Sequence, residues 1–596
     1  MKKNNTCHCE FDPQSPCFHP VIAGLTRNLP LFMEYRTKRG MTTFFILLFF
    51  CFSGRLHAQE TVSPLDVPLF LSGNFGELRS DHFHAGLDIK TQGIIGLPVK
   101  AVKAGFISRI SVGPSGFGRA IYISHPDRTT SVYGHLDRFA RKIEEAVIDS
   151  QYIKESFSVN LSFSSKEFPV QQGEVVAYSG NTGSSGGPHL HFELRNSRTE
   201  KPFDPLPAFK NQLKDNTPPE IRSLMFFPQS GKGIVNGSSD KQEINVMKDK
   251  NGKYVLSKPV KAWGVIGIGV KAYDRMDATT NIYGVKEIRL KVNNIELFHS
   301  VINEFSFDES RYLNSFTDWE EWKINQSFFM KSFIEPGNKL SIYRSHSAGL
   351  ITIREPEIYN CEYTLQDAHG NASVLSFTIS GEEQLIPEEK KEGVLFPYNR
   401  NNEYRGKGMT LNIPQGSLYT DIYLNPDTAQ TSLSTFAPLY SLGKRATLHN
   451  ACPFTLTITN DTYPDKSKYG AVSVTNNRIS WMGGEYESGK IRIRIRETGQ
   501  YTVAVDTVPP VIVPQNQAQW TANKRISLRI SDNLSGISFY KGTLDGKFAL
   551  FEFDAKTNTL FCKFDEARMK RGKQTLSIVV RDGARNETRK SFEVVF

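Results

Sequence analysis

Nine of the chain's 13 histidines lie before residue 206, six of them between residues 82 and 191, and two of these six alternate along a segment that reads as a β-strand. In an extended chain His189, His191 and Glu193 share one face, because successive side chains point to opposite sides. The residues that alternate with them are apolar and predict the buried face: Leu190, Phe192 and Leu194. Side chains on one strand face lie about 6–7 Å apart, which lets one histidine bind a metal ion while the other reaches a substrate. An exposed polar strand face is the alternative interpretation.

Two groups of residues upstream could contribute to the same site. His84 and Asp88 are four residues apart, and Gly86 between them favours an extended chain with both side chains on the same side. His135 follows a predicted hairpin whose turn is at 126–128, so it lies at the end of a strand. Zinc favours nitrogen ligands with an oxygen ligand, and keeps one position open for water when it is catalytic. These residues are therefore candidates for a metal site.

Taken together and in this order, the three segments resemble the lysostaphin-type (LytM-like) zinc metalloendopeptidases. That family has a His-x-x-x-Asp pair, a Tyr-x-His-Leu-like segment and a Gly-Pro-His-x-His-Phe segment, and this chain has all three. The resemblance covers residues 72–205 of the 596. It implies that His84, Asp88 and His191 bind a Zn²⁺ ion whose fourth position is taken by water. It also implies two unligated catalytic histidines, His135 and His189. The implied activity is hydrolysis of peptide stems or cross-links of peptidoglycan.

The implied mechanism depends on the open zinc position. Bound zinc lowers the pKa of its water toward 7 and polarises the scissile carbonyl. The sequence has no His-Glu-x-x-His segment, so proton transfer and oxyanion stabilisation fall to other groups. His135 and His189 are the candidates, and their spacing leaves open which of them is the base.

Three nearby residues are expected to have roles other than metal binding, and one alternative function is open. The spacing to Asp88 selects His84 over His82, which is expected in the groove or on the surface. His125 precedes a turn and is expected to be structural, and Glu193 either orients a ligand histidine or is solvated. The alternative to an enzyme is a non-catalytic LytM-like module that binds and activates another cell-wall hydrolase. The complete set of five site residues favours the enzyme.

Length and composition predict an exported, β-rich globular protein. With 596 residues, 39% of them apolar, and 45 glycines, three or four domains are expected. An apolar run at 42–53, with basic residues before it and a small residue after it, predicts a signal peptide at 41–58 that is cleaved after Ala58. Residues 1–40 are then an upstream extension outside the translated protein, and a lipid anchor at Cys51 is the less favoured alternative. We expect a protein of the periplasm or cell envelope.

Charge and cysteine content narrow the expected partners. The formal net charge of +10 falls to +6 without residues 1–58, and no concentrated basic patch indicates a nucleic acid. After processing, one cysteine remains in each of three predicted domains, namely Cys361, Cys452 and Cys562. Neither a disulfide framework nor a cysteine metal site is therefore expected. The expected partners are peptidoglycan peptides and, through the C-terminal domains, other envelope proteins.

Repeated patterns divide the chain into mainly β domains. A Pro-Val pair followed by a glycine strand occurs at 98–107 and again at 169–176, which predicts a small internally repeated β-sheet domain, of the duplicated hybrid motif type, at 59–206. Two Asp-x-x-Pro-Pro segments, each followed by Asp-bearing strands and an Asp-x-x-x-Asn segment, mark similar domains further on. Two to three immunoglobulin-like β-sandwiches are predicted, with bounds at 216–382, 394–505 (a β-rich domain) and 506–596, and a linker at 383–393.

The peptidase segment contains an insertion relative to the family. Residues 139–168 are longer than the usual connection, are partly apolar, and include a predicted short helix at 139–155. Such an insertion could form a wall of the substrate groove or occlude it. The hypothesis is that it narrows specificity or makes activity depend on a partner.

Overall fold

The computed structural model describes residues 61–389, 391–433 and 435–596. The predicted signal peptide, its cleavage site, Cys51 and the upstream extension at 1–40 lie outside these residues. The described chain is mainly β, as predicted. None of its helices has the length and apolar character needed to span a bilayer.

The peptidase segment is built from short antiparallel strands and one helix. They are β1 (Leu71–Gly73), β2 (Leu87–Lys90), β3 (Pro98–Lys100), β4 (Gly105–Val112), β5 (Arg119–Ser124), β6 (Thr129–Gly134), β7 (Arg138–Phe139), α1 (Arg141–Ile153), β8 (Val159–Ser162), β9 (Pro169–Val170), β10 (Val175–Tyr178), β11 (His189–Asn196) and β12 (Pro202–Phe203). The large sheet has the order β1-β2-β11-β6-β5-β4-β8, with β12 beside β11 and β9 beside β4, and β3-β10-β7 form a small second sheet.

The predicted internal repeat appears as reciprocal strand pairing. The first Pro-Val strand, β3, pairs with β10 from the second half, so that Val99 lies opposite Ala177. The second Pro-Val strand, β9, pairs with β4 from the first half, so that Val170 lies opposite Gly105. Each half therefore completes a sheet of the other, and the valines of both repeats are buried.

The predicted helix in the insertion is confirmed as α1. Residues on its inner face recur every four positions and are buried, at Ile143, Val147 and Gln151. The Gln151 amide donates a hydrogen bond to the carbonyl of Phe157 at 2.6 Å, and β8 then joins the large sheet beside β4. The insertion is thus part of the folded core.

The second segment is a mixed sheet with three short helices. Its elements are β13 (Glu220–Val235), β14 (Gln242–Lys248), β15 (Tyr254–Leu256), β16 (Val260–Tyr273), β17 (Glu287–Val292), β18 (Ile295–Val301), α2 (Phe307–Ser310), α3 (Leu313–Phe316), α4 (Trp319–Asn325), β19 (Met330–Lys331), β20 (Ile351–Ile353), β21 (Ile358–Gln366) and β22 (Ala372–Gly381). The sheet order is β18-β17-β21-β22-β15-β14-β13-β16-β19, with β20 beside β16.

The first two segments share one apolar core. Buried residues from Leu65 to Ile379 form a single continuous cluster. At its centre the ring of Phe83 packs against Phe305 and Phe316, with ring centroids 5.4 and 6.1 Å apart. Burying a side chain of this size contributes about 1.5–3 kcal/mol, so the contact holds the peptidase segment firmly to its neighbour.

Two further segments have apolar cores of their own. The third contains β23 (Val394–Phe396), β24 (Asn402–Gly406), β25 (Met409–Ile413), β26 (Ile422–Leu424), β27 (Asp427–Ala429), β28 (Leu439–Ser441), β29 (Thr447–Thr457), β30 (Tyr469–Thr475), β31 (Arg478–Gly483), β32 (Glu485–Glu487), β33 (Lys490–Glu497) and β34 (Gln500–Val505). The last contains β35 (Val511–Pro514), β36 (Arg525–Ser531), β37 (Ile537–Leu544), β38 (Lys547–Ala549), β39 (Glu552–Asp554), β40 (Thr559–Lys563), β41 (Lys573–Asp582) and β42 (Glu587–Val595). Single turns of 3-10 helix occur at Leu206–Phe209, Lys466–Lys468 and Gln517–Gln519.

The sheets of these two segments come in pairs. In the third segment the five-stranded sheets β24-β25-β29-β33-β32 and β27-β28-β34-β30-β31 are accompanied by the pair β23-β26. In the last segment the four-stranded sheets are β35-β36-β40-β39 and β38-β37-β41-β42. The C-terminal part is β-rich as predicted, and the number of immunoglobulin-like sandwiches stays a prediction. The three cysteines of the described residues are buried, unpaired thiols in separate segments.

Candidate metal centre

Three of the predicted residues meet at one point in the peptidase segment. One ligand atom each from His84, Asp88 and His191 lies within 4.8 Å of the other two. Asp88 Oδ1 is 3.0 Å from both His84 Nε2 and His191 Nδ1, and these two nitrogens are 3.1 Å apart. All three residues are buried. The sequence places them up to 107 positions apart, and the fold brings them together.

Strand register accounts for two of these positions. Asp88 on β2 lies directly opposite His191 on β11, so their side chains leave neighbouring backbones on the same face. As predicted, Leu190, Phe192 and Leu194 of β11 point into the apolar core on the other face.

His84 reaches the centre differently from the prediction. The expectation of a continuous extended chain from His84 to Asp88 is wrong, because β2 begins only at Leu87. His84 belongs to a preceding hairpin, where its N–H donates to the carbonyl of Glu77 at 2.9 Å and its own carbonyl accepts from Gly76 at 2.8 Å. The chain then passes the backbone of β11 so closely that a Cβ at Gly86 would lie 2.3 Å from the carbonyl oxygen of Phe192.

Hydrogen bonds behind the two histidines select the atoms that face the centre. His84 Nδ1 donates to the carbonyl of Asn74 at 2.7 Å, which leaves the Nε2 lone pair facing inward. His191 Nε2 bonds to Glu193 Oε1 at 2.8 Å, which leaves Nδ1 facing inward. Glu193 is fully buried and also accepts from Arg195 Nε at 2.6 Å, so it orients His191 and is not solvated.

The carboxylate is oriented in the same way. Arg79 donates to Asp88 Oδ2 at 3.0 Å, which leaves Oδ1 for the centre. Glu77 lies behind this pair, 3.7 Å from Arg79, and burial raises the pKa of its carboxyl to about 7. Sequence reasoning missed Asn74, Glu77 and Arg79, since Asn74 and Glu77 hold His84 through their backbone carbonyls and Arg79 acts on Asp88 from behind.

This donor set fits a Zn²⁺ ion. Two imidazoles and a carboxylate, each with one electron pair directed inward, match the ligands of a catalytic zinc site that keeps a fourth position for water. Their separations of 3.0–3.1 Å are close to the ~3.3 Å between two ligands of a tetrahedral Zn²⁺ with bonds of about 2.0–2.1 Å. Electron-pair donors this close to one another require a proton or a cation among them.

The pKa values of these side chains reflect the same close approach. Burial would raise the pKa of Asp88, but His84 and the hydrogen bonds from His189 and His191 hold it well below its usual range. Burial lowers the pKa of His84. The pKa of His191 is raised to about 9, because its hydrogen bonds to Asp88 and Glu193 outweigh the opposing effect of burial.

The two remaining predicted histidines flank the centre. His189 Nε2 is 3.3 Å from Asp88 Oδ1, and its Nδ1 bonds to the carbonyl of Gly187 at 2.9 Å. His135 Nδ1 bonds to the carbonyl of Thr182 at 2.8 Å, and its ring centroid is 4.8 Å from that of His189. His135 has a φ of 59°, a left-handed conformation uncommon outside glycine, and such backbone strain clusters at functional sites.

An aromatic ring closes one side of the centre. Phe117 stacks on His191 with ring centroids 4.9 Å apart and approaches His135 edge-on at 6.3 Å. The loop that carries Phe117 crosses the one before β11 so closely that a Cβ at Gly118, whose φ is +66°, would lie 2.4 Å from the nitrogen of Gly183. Sequence reasoning missed Phe117, because an apolar residue in a glycine loop has no local signal for a site.

The other histidines of the segment behave as expected. His125 is buried, with its ring nitrogens bonded to the carbonyl of Ala104 at 2.9 Å and to Ser131 Oγ at 2.8 Å, so it is structural. The His82 side chain is 32% exposed and lies 2.9 Å from Asp81, outside the metal centre.

The insertion and the last segment meet beside the centre. Arg119, which is buried, binds Glu144 of α1 at 2.9 Å and Glu552 of β39 at 3.2 Å. Lys556 of the last segment donates to the carbonyl of Asn181, next to the Thr182 carbonyl that holds His135. Arg119 therefore links the insertion to the last segment, and Lys556 of the last segment contacts the loop that positions a predicted catalytic histidine.

Comparison with known proteins assigns this segment to a family. The model of peptidase family M23 matches residues 82–167 and 156–205, and the model of the Zu5-like domain matches residues 393–506. The DD-carboxypeptidase/endopeptidase Mpg of Neisseria meningitidis serogroup B (strain MC58) is 30% identical over 118 residues, which are 20% of this chain and 21% of that protein. A protein named uncharacterized metalloprotease from Haemophilus influenzae is 30% identical over 121 residues, 20% of each chain.

The chain thus spans about a fifth of the length of these curated relatives. Among solved structures, the catalytic domain of the antimicrobial peptidase lysostaphin from Staphylococcus simulans is 26% identical, covering 23% of this chain and 89% of that one with a TM-score of 0.18. The family match encloses all five predicted site residues. Residues 82–205 therefore form a peptidase family M23 domain, followed by β-rich segments.

Proposed function

We propose that this protein is a zinc-dependent endopeptidase that hydrolyses the peptide stems or cross-links of peptidoglycan. The observation that carries the proposal is the convergence of His84, Asp88 and His191, with His135 and His189 beside them. The match to family M23 and the relative named DD-carboxypeptidase/endopeptidase support this class of substrate. A cell-envelope location, suggested by the signal-like segment at 41–58, would bring the enzyme to that substrate.

In this proposal three side chains hold the metal and two act on the substrate. His84 Nε2, Asp88 Oδ1 and His191 Nδ1 would hold Zn²⁺, each kept in place by its outer hydrogen bond. A bound Zn²⁺ would supply an acidified water and would polarise the scissile carbonyl.

His135 and His189 would carry the proton. Each ring is held through Nδ1 by a backbone carbonyl, so the neutral ring has its lone pair at Nε2. Burial, with His191 and His189 nearby, lowers the pKa of His135 to about 3, so this ring is neutral near pH 7. Either Nε2 can accept a proton from the attacking water and then donate it to the oxyanion or to the leaving amine.

The test is digestion of purified peptidoglycan fragments with mass analysis of the products. We expect hydrolysed peptide bonds with the zinc-loaded protein, and a loss of rate of at least about 100-fold with a chelator or in His84→Ala, since a ligand is removed. His346→Ala, at an exposed position outside the domain, is the matched control and should cleave normally. Zinc added back should rescue the chelated protein but not His84→Ala.

Two results would count against the proposal. Equal cleavage in every sample would exclude the zinc mechanism. Absence of cleavage by the loaded protein, together with faster cleavage when it is mixed with a second wall hydrolase, would favour the non-catalytic activator.

A further inference from the structure

We propose that Asp215, Asp274 and Asp367, together with His369, form a second divalent-cation site at the junction between the M23 domain and the segment that follows it. The site would take a hard cation such as Ca²⁺ or Mn²⁺, because its donors are mainly carboxylate oxygens. It is separate from the predicted zinc centre and does not depend on the proposed enzymatic activity.

The first support is a set of buried carboxylate oxygens that lack partners. Asp215 is 8% exposed, Asp274 is 3% exposed and Asp367 is 2% exposed. Asp215 Oδ2 and Asp274 Oδ1 are inaccessible to solvent and have no hydrogen-bond partner. Leaving such an oxygen buried and unbound costs about 1–3 kcal/mol, and more when it is charged. A bound cation would satisfy both oxygens.

His369 directs a further electron pair toward the same point. Its Nε2 lies 2.9 Å from the carbonyl of Leu213 and so donates its proton there. The neutral ring then presents the lone pair of Nδ1, which lies 3.8 Å from Asp215 Oδ2. One ligand atom each from Asp215, Asp367 and His369 lies within 4.8 Å of the other two. Two acceptors that face each other across this gap leave room for a cation between them.

Charge balance supports the same conclusion. Among the described residues, His369 is the only basic side chain that pairs with any of the three carboxylates. Burial, followed by the charges of Asp367 and Asp215, raises the pKa of Asp274 to about 8, so the three negative charges oppose one another. Three buried carboxylates with at most one cationic partner need an added positive charge, which either a metal cation or a proton can supply.

Structural hydrogen bonds account for Asp367 and for one oxygen of Asp215, whose Oδ1 accepts the backbone N–H groups of Thr217 and Asp277 at 3.1 Å each. Asp367 Oδ1 accepts the backbone N–H groups of His369, Gly370 and Asn371 at 2.7–2.9 Å, and Oδ2 accepts the Asn371 amide at 2.7 Å. Those bonds account for Asp367 as the organiser of a turn. They leave Asp215 Oδ2 and Asp274 Oδ1 unexplained.

The matching cluster of the last segment is not included in the proposal. Asp506, Asp532 and Asp582 are arranged similarly, with the Asn586 amide bound to Asp582 Oδ2 at 2.7 Å. However, Asp532 is partly exposed, and the N–H of Ser535 satisfies Asp506 Oδ2 at 3.0 Å. Ala584 stands where the first cluster has His369, so no imidazole is present there.

The position of the site gives it a structural consequence. Asp215 lies in the connection that leaves the M23 domain, and Asp274 pairs through its backbone with Tyr283. The Tyr283 hydroxyl donates to the carbonyl of Leu71 in β1, at 2.8 Å, and β1 is the neighbour of β2 in the sheet of the metal centre. A cation bound here would fix the connection against the sheet that carries Asp88.

The experiment measures cation binding to the full chain with its zinc centre already saturated. Ca²⁺ and, separately, Mn²⁺ are titrated by calorimetry into the wild type, Asp274→Asn and the control Asp240→Asn, an exposed aspartate of the same segment. We expect the wild type and the control to bind one more equivalent than Asp274→Asn. At 100 times the dissociation constant, the cation should raise the melting temperature of the wild type by about 5 °C and that of Asp274→Asn by clearly less.

Asp274→Asn removes a buried charge without changing the side-chain shape, so the cation-free variant should fold and melt no lower than the cation-free wild type. Equal numbers of bound cations in the wild type and this variant would overturn the proposal. So would the absence of binding in a wild type that Asp274→Asn stabilises, since the buried carboxyl would then be held by a proton. His369→Ala separates the two cations, because loss of Mn²⁺ affinity alone would identify the imidazole as a ligand.

Discussion

At the scale of single residues, the atom that each side chain turns toward the metal centre is set by the contact on its other side. The Asn74 carbonyl fixes His84, and Glu193 fixes His191. Glu193 is fully buried and forms an ion pair with Arg195, so it couples the orientation of His191 to an ion pair inside the sheet. Residues of this kind affect metal binding without touching the metal.

Glu193→Gln is therefore expected to weaken zinc binding. The amide would keep the size of the side chain but lose the charge that raises the basicity of His191, and such outer contacts change metal affinity by about 10–100-fold. The measurement is zinc affinity by competition with a chelator, with circular dichroism to confirm folding. Glu200→Gln is the matched control, because Glu200 also contacts Arg195, at 3.3 Å, but is exposed. Equal affinities for all three proteins would contradict the role given to Glu193.

Spacing made these residues candidates, because alternation along β11 and the His84–Asp88 offset are local properties, and the resemblance to the LytM-like family selected the set that meets at the centre. Spacing could not predict what lies behind them. Asn74 contributes a backbone carbonyl, which any residue type has, and Phe117 contributes a ring from a loop 74 positions before His191. Whether Glu193 was buried or solvated depended on Arg195 and the neighbouring strands, which one strand's pattern does not contain.

At the scale of elements, the insertion packs the M23 domain against the last segment. Its helix α1 presents Tyr152 to Phe548 with ring centroids 5.4 Å apart, and Asp149 binds Arg568. Deleting residues 141–167 would remove Ile143 and Val147 from the core and would destabilise the domain. Point substitutions on the outer face of α1 therefore test its contact with the last segment more specifically.

Tyr152→Ala combined with Asp149→Asn is expected to loosen the last segment. Loss of an aromatic pair costs about 0.5–1.5 kcal/mol beyond the area it buries, which raises the population of the undocked form roughly tenfold. Limited proteolysis near Val508, a residue 50% exposed in the connection to the last segment, should then be faster. Glu145→Ala is the control, since Glu145 is exposed and binds Arg141 of the same helix. An unchanged cleavage rate would show that α1 does not hold this segment.

The α1 helix and the repeat of the Pro-Val strands were predictable because both leave a periodic or repeated pattern, whereas the reciprocal pairing of those strands was seen only in the structure. The hairpin that carries His84 was not, since His84 is held by backbone bonds to Gly76 and Glu77 and not by strand alternation. Helices α2, α3 and α4 also gave no signal, because four to seven residues are too few to show a helical period.

At the scale of the whole molecule, segments that the sequence separates are packed together. Predicted boundaries near residues 206 and 216 are crossed by one apolar core, in which Phe83 contacts Phe305 and Phe316. An alternating pattern predicts that such residues are buried, but not which distant surface buries them. The domain bounds themselves stay a prediction.

His449 makes the packing of the second segment against the third less stable in acid. Its ring stacks on Tyr312 at 3.8 Å, and burial, followed by Arg311 and Arg496, lowers its pKa from 6.5 to about 4. The folded protein then binds this proton less well than the unfolded chain. The stability present above pH 6.5 is lost as the pH falls toward 4.

His449→Phe keeps a ring for the stack but cannot titrate. Between pH 7.5 and pH 4.5, we expect the free energy of unfolding to fall by about 1–3 kcal/mol more in the wild type than in this variant. Denaturant titrations at the two pH values measure the difference. Parallel losses in the two proteins would mean that His449 does not control this interface.

The central claim is that His84, Asp88 and His191 hold one zinc ion. Anomalous X-ray scattering at the zinc edge, from crystals of the zinc-loaded protein, tests it most directly. The account predicts a single strong peak about 2.0–2.2 Å from His84 Nε2, an Asp88 oxygen and His191 Nδ1. A zinc-loaded crystal with no peak there, or with its zinc only at other residues such as the cluster of Asp215, Asp367 and His369, would contradict it.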